Sequence, residues 1–254
     1  MKKRLATGII GGLILGISTY LGGMFYFAVY FFITTFCIIE LSRAFKQDIL
    51  KTGYFLNYIL NIILFIYAIN DSNSFVLFTL ILYMVGNLFF YTFLDVKLEN
   101  IVINLLGGFY LGFFLYHLYL LNDMVFVWYI YIIAFGNDTF AYFTGKLFGK
   151  HKLSPILSPK KTIEGAIGGI TGSIVISIIF NSFIGKHNII WIILFVIIAS
   201  VFSISGDLVA SKIKRENNIK DYSNFLPGHG GFLDRFDSVI LVSPIVYYFS
   251  ILIS

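Results

Sequence analysis

Charge is what this chain has least of. Only 12% of its 254 residues are Asp, Glu, Lys or Arg, about half the share of an ordinary soluble domain. So few charges cannot cover the surface of a soluble fold of this length. Cysteine is nearly missing as well. Cys37 stands alone, which excludes an intrachain disulfide scaffold, and its apolar surroundings read as packing. Proline is scarce, and Pro155, Pro159, Pro227 and Pro244 all follow residue 150. In their place the chain is 58% hydrophobic and 19% aromatic, with a mean hydropathy of +0.88. That excludes a disordered chain. What remains is an all-α polytopic membrane protein. Its net charge of +5 is then read through loop orientation and gives no reason to expect nucleic acid.

A spanning helix needs about 20 mostly apolar residues. Nine stretches qualify, near 5–21, 22–40, 53–70, 74–94, 101–120, 124–145, 165–184, 189–207 and 238–253. The first follows Lys2, Lys3 and Arg4 like a signal peptide, but no clean cleavage site follows it and a second apolar run comes at once. With the N-terminus in the cytoplasm and nine alternating spans, every Lys and Arg except Lys186 falls inside. The outer loops are short: Leu21–Gly23, Asn70–Ser74, Asn122–Asp123 and Gly185–Asn188. Two inner segments, 146–164 and 208–237, are long and polar. The expected division is residues 1–121 as a scaffold of about five helices, and residues 122–254 as the working region carrying both loops. Gly8, Gly12 and Gly16, like Gly165–Gly169 and Gly168–Gly172, recur every four residues and predict close helix packing.

The chemistry gathers at the cytoplasmic helix ends. Asp138, Tyr142 and Lys146 lie four apart on one helical face, and Asp207 precedes Ser211 and Lys214 by one and two turns. Gly145–His151 ends in Gly-Lys-His but lacks the first glycine and the Ser or Thr of a phosphate-binding P-loop. Lys160, Lys161 and Thr162 precede a helix start at Glu164, a place that favours anions. Further on come Lys214-Arg215, Lys220-Asp221, Pro227-Gly228-His229-Gly230-Gly231 and Asp234-Arg235-Phe236-Asp237. The cations suit a polyphosphate, with Arg able to fork onto two oxygens. The glycines free backbone N–H groups to face an anion. Asp207, Asp234 and Asp237 are hard donors suited to Mg²⁺, which takes one or two carboxylates plus substrate phosphates. His229 can hydrogen-bond a phosphate or move a proton. His117 and His187 read as incidental, and His151, beside Lys150 and Lys152, reads as surface-facing.

The run Ser211-x-Ile-Lys214-Arg215 through Lys220-Asp221, Ser223, Leu226-Pro227-x-His229-Gly230-Gly231 and Asp234-Arg235-Phe-Asp237 resembles the signature of phosphatidate cytidylyltransferases, also called CDP-diacylglycerol synthases. Asp138-Thr139-x-Ala141-Tyr142-x2-Gly145 and Ser158-Pro159-Lys160-Lys161-Thr162-x-Glu164-Gly165 extend the resemblance, which covers about residues 135–240. Ser223 stands where many members have glycine. The resemblance implies CTP and phosphatidate as substrates, CDP-diacylglycerol and pyrophosphate as products, and Mg²⁺ with room for a second metal ion. It implies a membrane-embedded site open to the cytoplasm. Asp207 and Asp234 are then expected as metal carboxylates. Asp237, Asp138 and Asp221 are second choices. Lys214, Arg215, Arg235, Lys160 and Lys161 are expected on phosphates, with Lys220 beside them. Ser211, Thr162 and His229 would hydrogen-bond phosphate, and Glu164 would orient a lysine or a hydrated metal. The expected setting is a bacterial plasma membrane, with a homodimer permitted by the glycine faces. A transferase acting on another lipid phosphate, such as a polyprenyl acceptor, would share the polar site. A transporter would instead place its acids at mid-membrane in repeated broken helices, and no repeat is visible.

Overall fold

The structure, a computed structural model, describes residues 2–121, 124–184 and 187–253. Lys186 and the Asn122–Asp123 loop lie outside the described residues, as do the side chains of Lys2, Lys3 and Arg4. The chain is an all-α membrane protein. Helices cover each of the nine apolar stretches, and six are long and apolar enough to cross a bilayer among the described residues. The chain divides into two compact units, Met1–Asn122 with Asn217–Arg235, and Asp123–Glu216 with Phe236–Ser254.

The first unit holds α1 (Lys2–Leu21), α2 (Gly23–Ala44), α3 (Leu56–Ile69), α4 (Val76–Phe93), α5 (Leu98–Leu106) and α6 (Phe114–Tyr119). Between α5 and α6 the wider π-helical stretch Gly107–Phe113 continues the same rod. Its glycines let bulky neighbours in, and the Tyr83 ring occupies the place a Gly108 side chain would need. The Tyr83 hydroxyl donates to Asn57 Oδ1 at 3.0 Å, and Asn104 Nδ2 donates to the Thr52 carbonyl at 2.8 Å. Such bonds satisfy polar side chains that lipid could not. The core is built on Tyr26, Tyr30, Leu41, Leu60, Leu64 and Leu111. Leu77, Phe78, Ile81 and Leu82 of α4 point outward as a lipid-facing surface. Gly12, expected to pack, has no heavy atom within 4 Å of a Cβ built on it, because that face of α1 is open.

The second unit holds α7 (Met124–Tyr131), α8 (Asn137–Phe148), α9 (Ile163–Ile184), α10 (Ile189–Glu216) and α11 (Leu233–Ile253), which starts in the first unit. The π-helical stretch Ile132–Gly136 joins α7 to α8. The α9 glycines do pack as expected. Thr144, Asn137 and Phe140 of α8 fill the spaces that side chains at Gly168, Gly169 and Gly172 would take. Gly206 of α10 likewise admits the α11 backbone at Asp237.

Two loop expectations change. The segment 146–164 contains an antiparallel hairpin, β1 (Lys152–Ser154) and β2 (Ser158–Thr162). The segment 208–237 is largely helical at both ends. Helix α10 runs on past Asp207 to Glu216, and α11 starts at Leu233. No Gly or Pro interrupts residues 208–216. Lys214 and Arg215 in the last turn complement the helix dipole. At 28 residues the helix is about 42 Å long, more than the hydrocarbon core of a bilayer needs.

Candidate active site

In the second unit, Asn137, Asp138, Tyr142, Lys146, Ser158, Lys160, Lys161, Thr162 and Asp207 line one open cavity of about 400 Å³. Local structure explains the convergence. The four-residue spacing puts Asp138, Tyr142 and Lys146 on one face of α8. The hairpin turns β2 back so that Lys161 faces the same space. Thr162 then caps α9, its Oγ1 accepting the Gly165 N–H at 3.1 Å. Glu164 closes the hairpin's base. Its carboxylate accepts the backbone N–H groups of Lys150 (3.1 Å) and His151 (3.2 Å), and meets His151 Nδ1 at 2.6 Å. Glu164 is thus engaged with the His151 ring and with the backbone at the hairpin's base.

Lys161 is the hub of the cavity's charge. Its ammonium pairs with Asp207 Oδ2, and about a quarter of its side chain is exposed (24%). Burial alone would lower its pKa. The carboxylates of Asp207, Asp138 and Asp237 outweigh burial and hold it above the ordinary value. Ser211 donates to Asp207 Oδ1 at 3.2 Å, one helical turn on. Asp237 is buried, accepts the Ser238 N–H at 2.8 Å, and lies in the field of Asp207, Asp138 and Lys214. Arg215 is exposed on the last turn of α10.

In the first unit the signature loop is held by carboxylates. Asp234 is buried, and its Oδ2 accepts the N–H groups of Tyr222 (2.8 Å) and Gly231 (2.9 Å). Leu226 and Gly230 bridge across the Pro227–His229 turn. Gly230 has φ +83°, a conformation side chains rarely adopt, and a Cβ there would press on Asp234 Oδ2. The His229 ring rests on Gly8 of α1, and Thr7 donates to the Pro227 carbonyl at 3.2 Å. Lys220, Asp221 and Arg235 are exposed.

The sequence model of the cytidylyltransferase family matches residues 2–253. The chain belongs to the cytidylyltransferase family. Named relatives agree over part of their length. A phosphatidate cytidylyltransferase of Staphylococcus haemolyticus is 43% identical over 137 residues, 54% of this chain and 53% of the relative. One from Staphylococcus epidermidis is 47% identical over 122 residues, 48% of this chain and 47% of the relative. One from Staphylococcus aureus is 42% identical over 137 residues, with 54% and 53% covered. The chain thus spans about half the length of the curated relatives it matches.

For a cytidylyltransferase, the metal question turns on donor chemistry. Among the described residues no group of three or more His, Cys, Asp or Glu is placed to hold a metal ion. Mg²⁺ needs only one or two protein carboxylates when substrate phosphates and water complete its shell. Asp207 lines the cavity, but its Oδ2 pairs with the Lys161 ammonium and its Oδ1 accepts the Ser211 hydroxyl, so a metal would share it with those partners. Asp234 fits less directly, since its Oδ2 serves two backbone N–H groups. One residue escaped the sequence reading. Glu40 of α2 is 2% exposed, and its carboxylate accepts Ser223 Oγ (2.6 Å), Phe232 N–H (3.0 Å) and Leu233 N–H (2.8 Å). Its only sequence signal is an acid within an apolar span, where charge is costly.

Proposed function

We propose that this chain transfers the cytidylyl group of CTP to phosphatidate, giving CDP-diacylglycerol and pyrophosphate. The observation that carries the reading is the cavity where Lys146, Lys160 and Lys161 meet Asp138 and Asp207, on a chain of the cytidylyltransferase family. A triphosphate needs several cations, and these lysines supply them. An ionised phosphatidate oxygen attacks the α-phosphorus, a new P–O bond forms, and the bond to pyrophosphate breaks. The attacking oxygen is already charged, so no strong base is needed. Catalysis is then positioning and charge stabilisation. Lys160 and Lys161 hold phosphate oxygens, Asp207 orients Lys161, and Thr162 and Ser211 supply hydroxyls. In the second unit Lys214 and Arg215 add positive charge; in the first, Lys220 and Arg235 are proposed phosphate partners on the loop that Asp234 organises, with Asp221 and His229. Mg²⁺, when bound, would neutralise charge on the departing pyrophosphate; in the cavity Asp207 is its proposed carboxylate, with Asp237 and Asp138 in reserve, and in the signature loop the proposed metal carboxylate is Asp234.

The reading includes nine spans in a bacterial plasma membrane, an inside N-terminus and a site facing the cytoplasm. The near-complete confinement of Lys and Arg to one side supports this topology. A homodimer would have the open Gly11–Gly12 face of α1 available. The test is pyrophosphate release by purified protein in detergent–lipid micelles, with Lys161→Ala as the control. Release should require CTP, Mg²⁺ and phosphatidate together and fall away in the variant. Release that prefers a polyprenyl phosphate to phosphatidate would overturn the acceptor assignment.

A further inference from the structure

We infer that Glu40 is a positioning residue for the signature loop, acting on the reaction through residues 223–235 without touching substrate. This rests on the proposed function, because it assigns Glu40 to the same reaction. A carboxylate in an apolar helix is costly to bury, and among the described residues no Lys or Arg forms an ion pair with Glu40. Its three recorded hydrogen-bond donors all come from the distant loop: Ser223 Oγ, Phe232 N–H and Leu233 N–H. Leu233 is the first residue of α11, so Glu40 serves as that helix's N-terminal acceptor, supplied from another helix.

The neighbouring donors go to Asp234. Gly231 N–H and Tyr222 N–H bond its Oδ2. Successive N–H groups at 231, 232 and 233 are therefore divided between two buried carboxylates, which fixes the peptide planes on both sides of the turn. The fit around Glu40 is tight. A Cβ at Gly231 would collide with both Glu40 oxygens, so the glycine is needed for the carboxylate's approach. Phe36, one turn before Glu40, stacks on Phe232 at 4.9 Å between ring centroids and packs on Phe225 at 4.8 Å, which adds apolar contacts between α2 and the loop. The face of α2 that carries Glu40 thus sets where His229, Asp234 and Arg235 stand.

The test is a double-mutant cycle on kcat in the micelle assay, with Glu40→Gln and His229→Ala. Glutamine keeps one acceptor and the shape but turns an NH₂ group toward backbone donors. Losing a hydrogen bond to a charged group corresponds to about a 10- to 100-fold fall in kcat. Glu40→Gln should show this fall while its elution profile stays that of the folded protein. In the His229→Ala background, where the loop is already impaired, the same change should cost less than about twofold, since coupled residues are not additive. A purely structural role would lower the active fraction by the same factor in both backgrounds and would overturn the inference. So would a Glu40→Gln protein with wild-type kcat. If Glu40→Gln does not fold, Ser223→Ala decides by the same cycle, with a fall of about 3- to 10-fold expected from one lost bond. An inactive wild-type protein would defeat the proposed reaction alone.

Discussion

At the residue scale the account turns on Lys161 and its carboxylates. Asp207→Asn keeps the shape and removes the charge that orients Lys161. We expect kcat to fall by about 10²- to 10³-fold, the range seen when one preorganised electrostatic contact is lost; unchanged turnover would remove Asp207 from the site. The pH behaviour follows from the direction of the Lys161 shift. Its folded pKa lies above the ordinary 10.5. The stabilisation from its ion pair is therefore complete below 10.5 and fades only as pH climbs through the raised folded value. Thermal stability should show no loss from this pair between pH 7 and 9, and Lys161→Met should differ from wild type by a constant amount across that window. Much of this was legible in the sequence. The four-residue spacing of Asp138, Tyr142 and Lys146 already placed them on one face, and that face lines the cavity. Ser211 bonds Asp207 as the same spacing predicts. Glu40 was not legible, because its partners lie 183 to 193 residues away and no local pattern encodes such a distance.

At the element scale, hydropathy located the helices but not their polar ends. Helix α10 outruns its apolar part because Leu208–Glu216 has good helix formers and a basic last turn. The hairpin of β1 and β2 was missed because it is short, polar and only partly buried, so it shows no alternation of apolar residues. Its position matters, since it carries Lys161 into the cavity and ends on the Thr162 cap. Thr162→Ala removes the acceptor for the Gly165 N–H and should destabilise the protein by about 1 kcal/mol. Thermal unfolding in detergent should then move down by about 2–4 °C; no movement would mean that water replaces the cap without loss.

At the scale of the whole molecule, composition marks a polytopic membrane protein, and the placement of the cations supports the topology proposed above. The compact units divide the chain differently from its hydropathy. Residues 217–235 belong with the first six helices, held there by Glu40 and the α1 contacts. Sequence order alone hides such a return of the chain. The proposed topology predicts accessibility. With Cys37 replaced by Ser, a cysteine at Ile156 in the hairpin should resist a membrane-impermeant maleimide in intact bacterial cells and react once they are opened. A cysteine at Ser74 should react in intact cells. The reverse pattern would invert the topology. The most direct test of the central claim follows the label of CTP into lipid. With phosphatidate and Mg²⁺, α-³²P from CTP should enter the lipid fraction as CDP-diacylglycerol, while γ-³²P should leave as pyrophosphate. Label from the γ position in lipid, or none from the α position with folded protein, would contradict cytidylyl transfer.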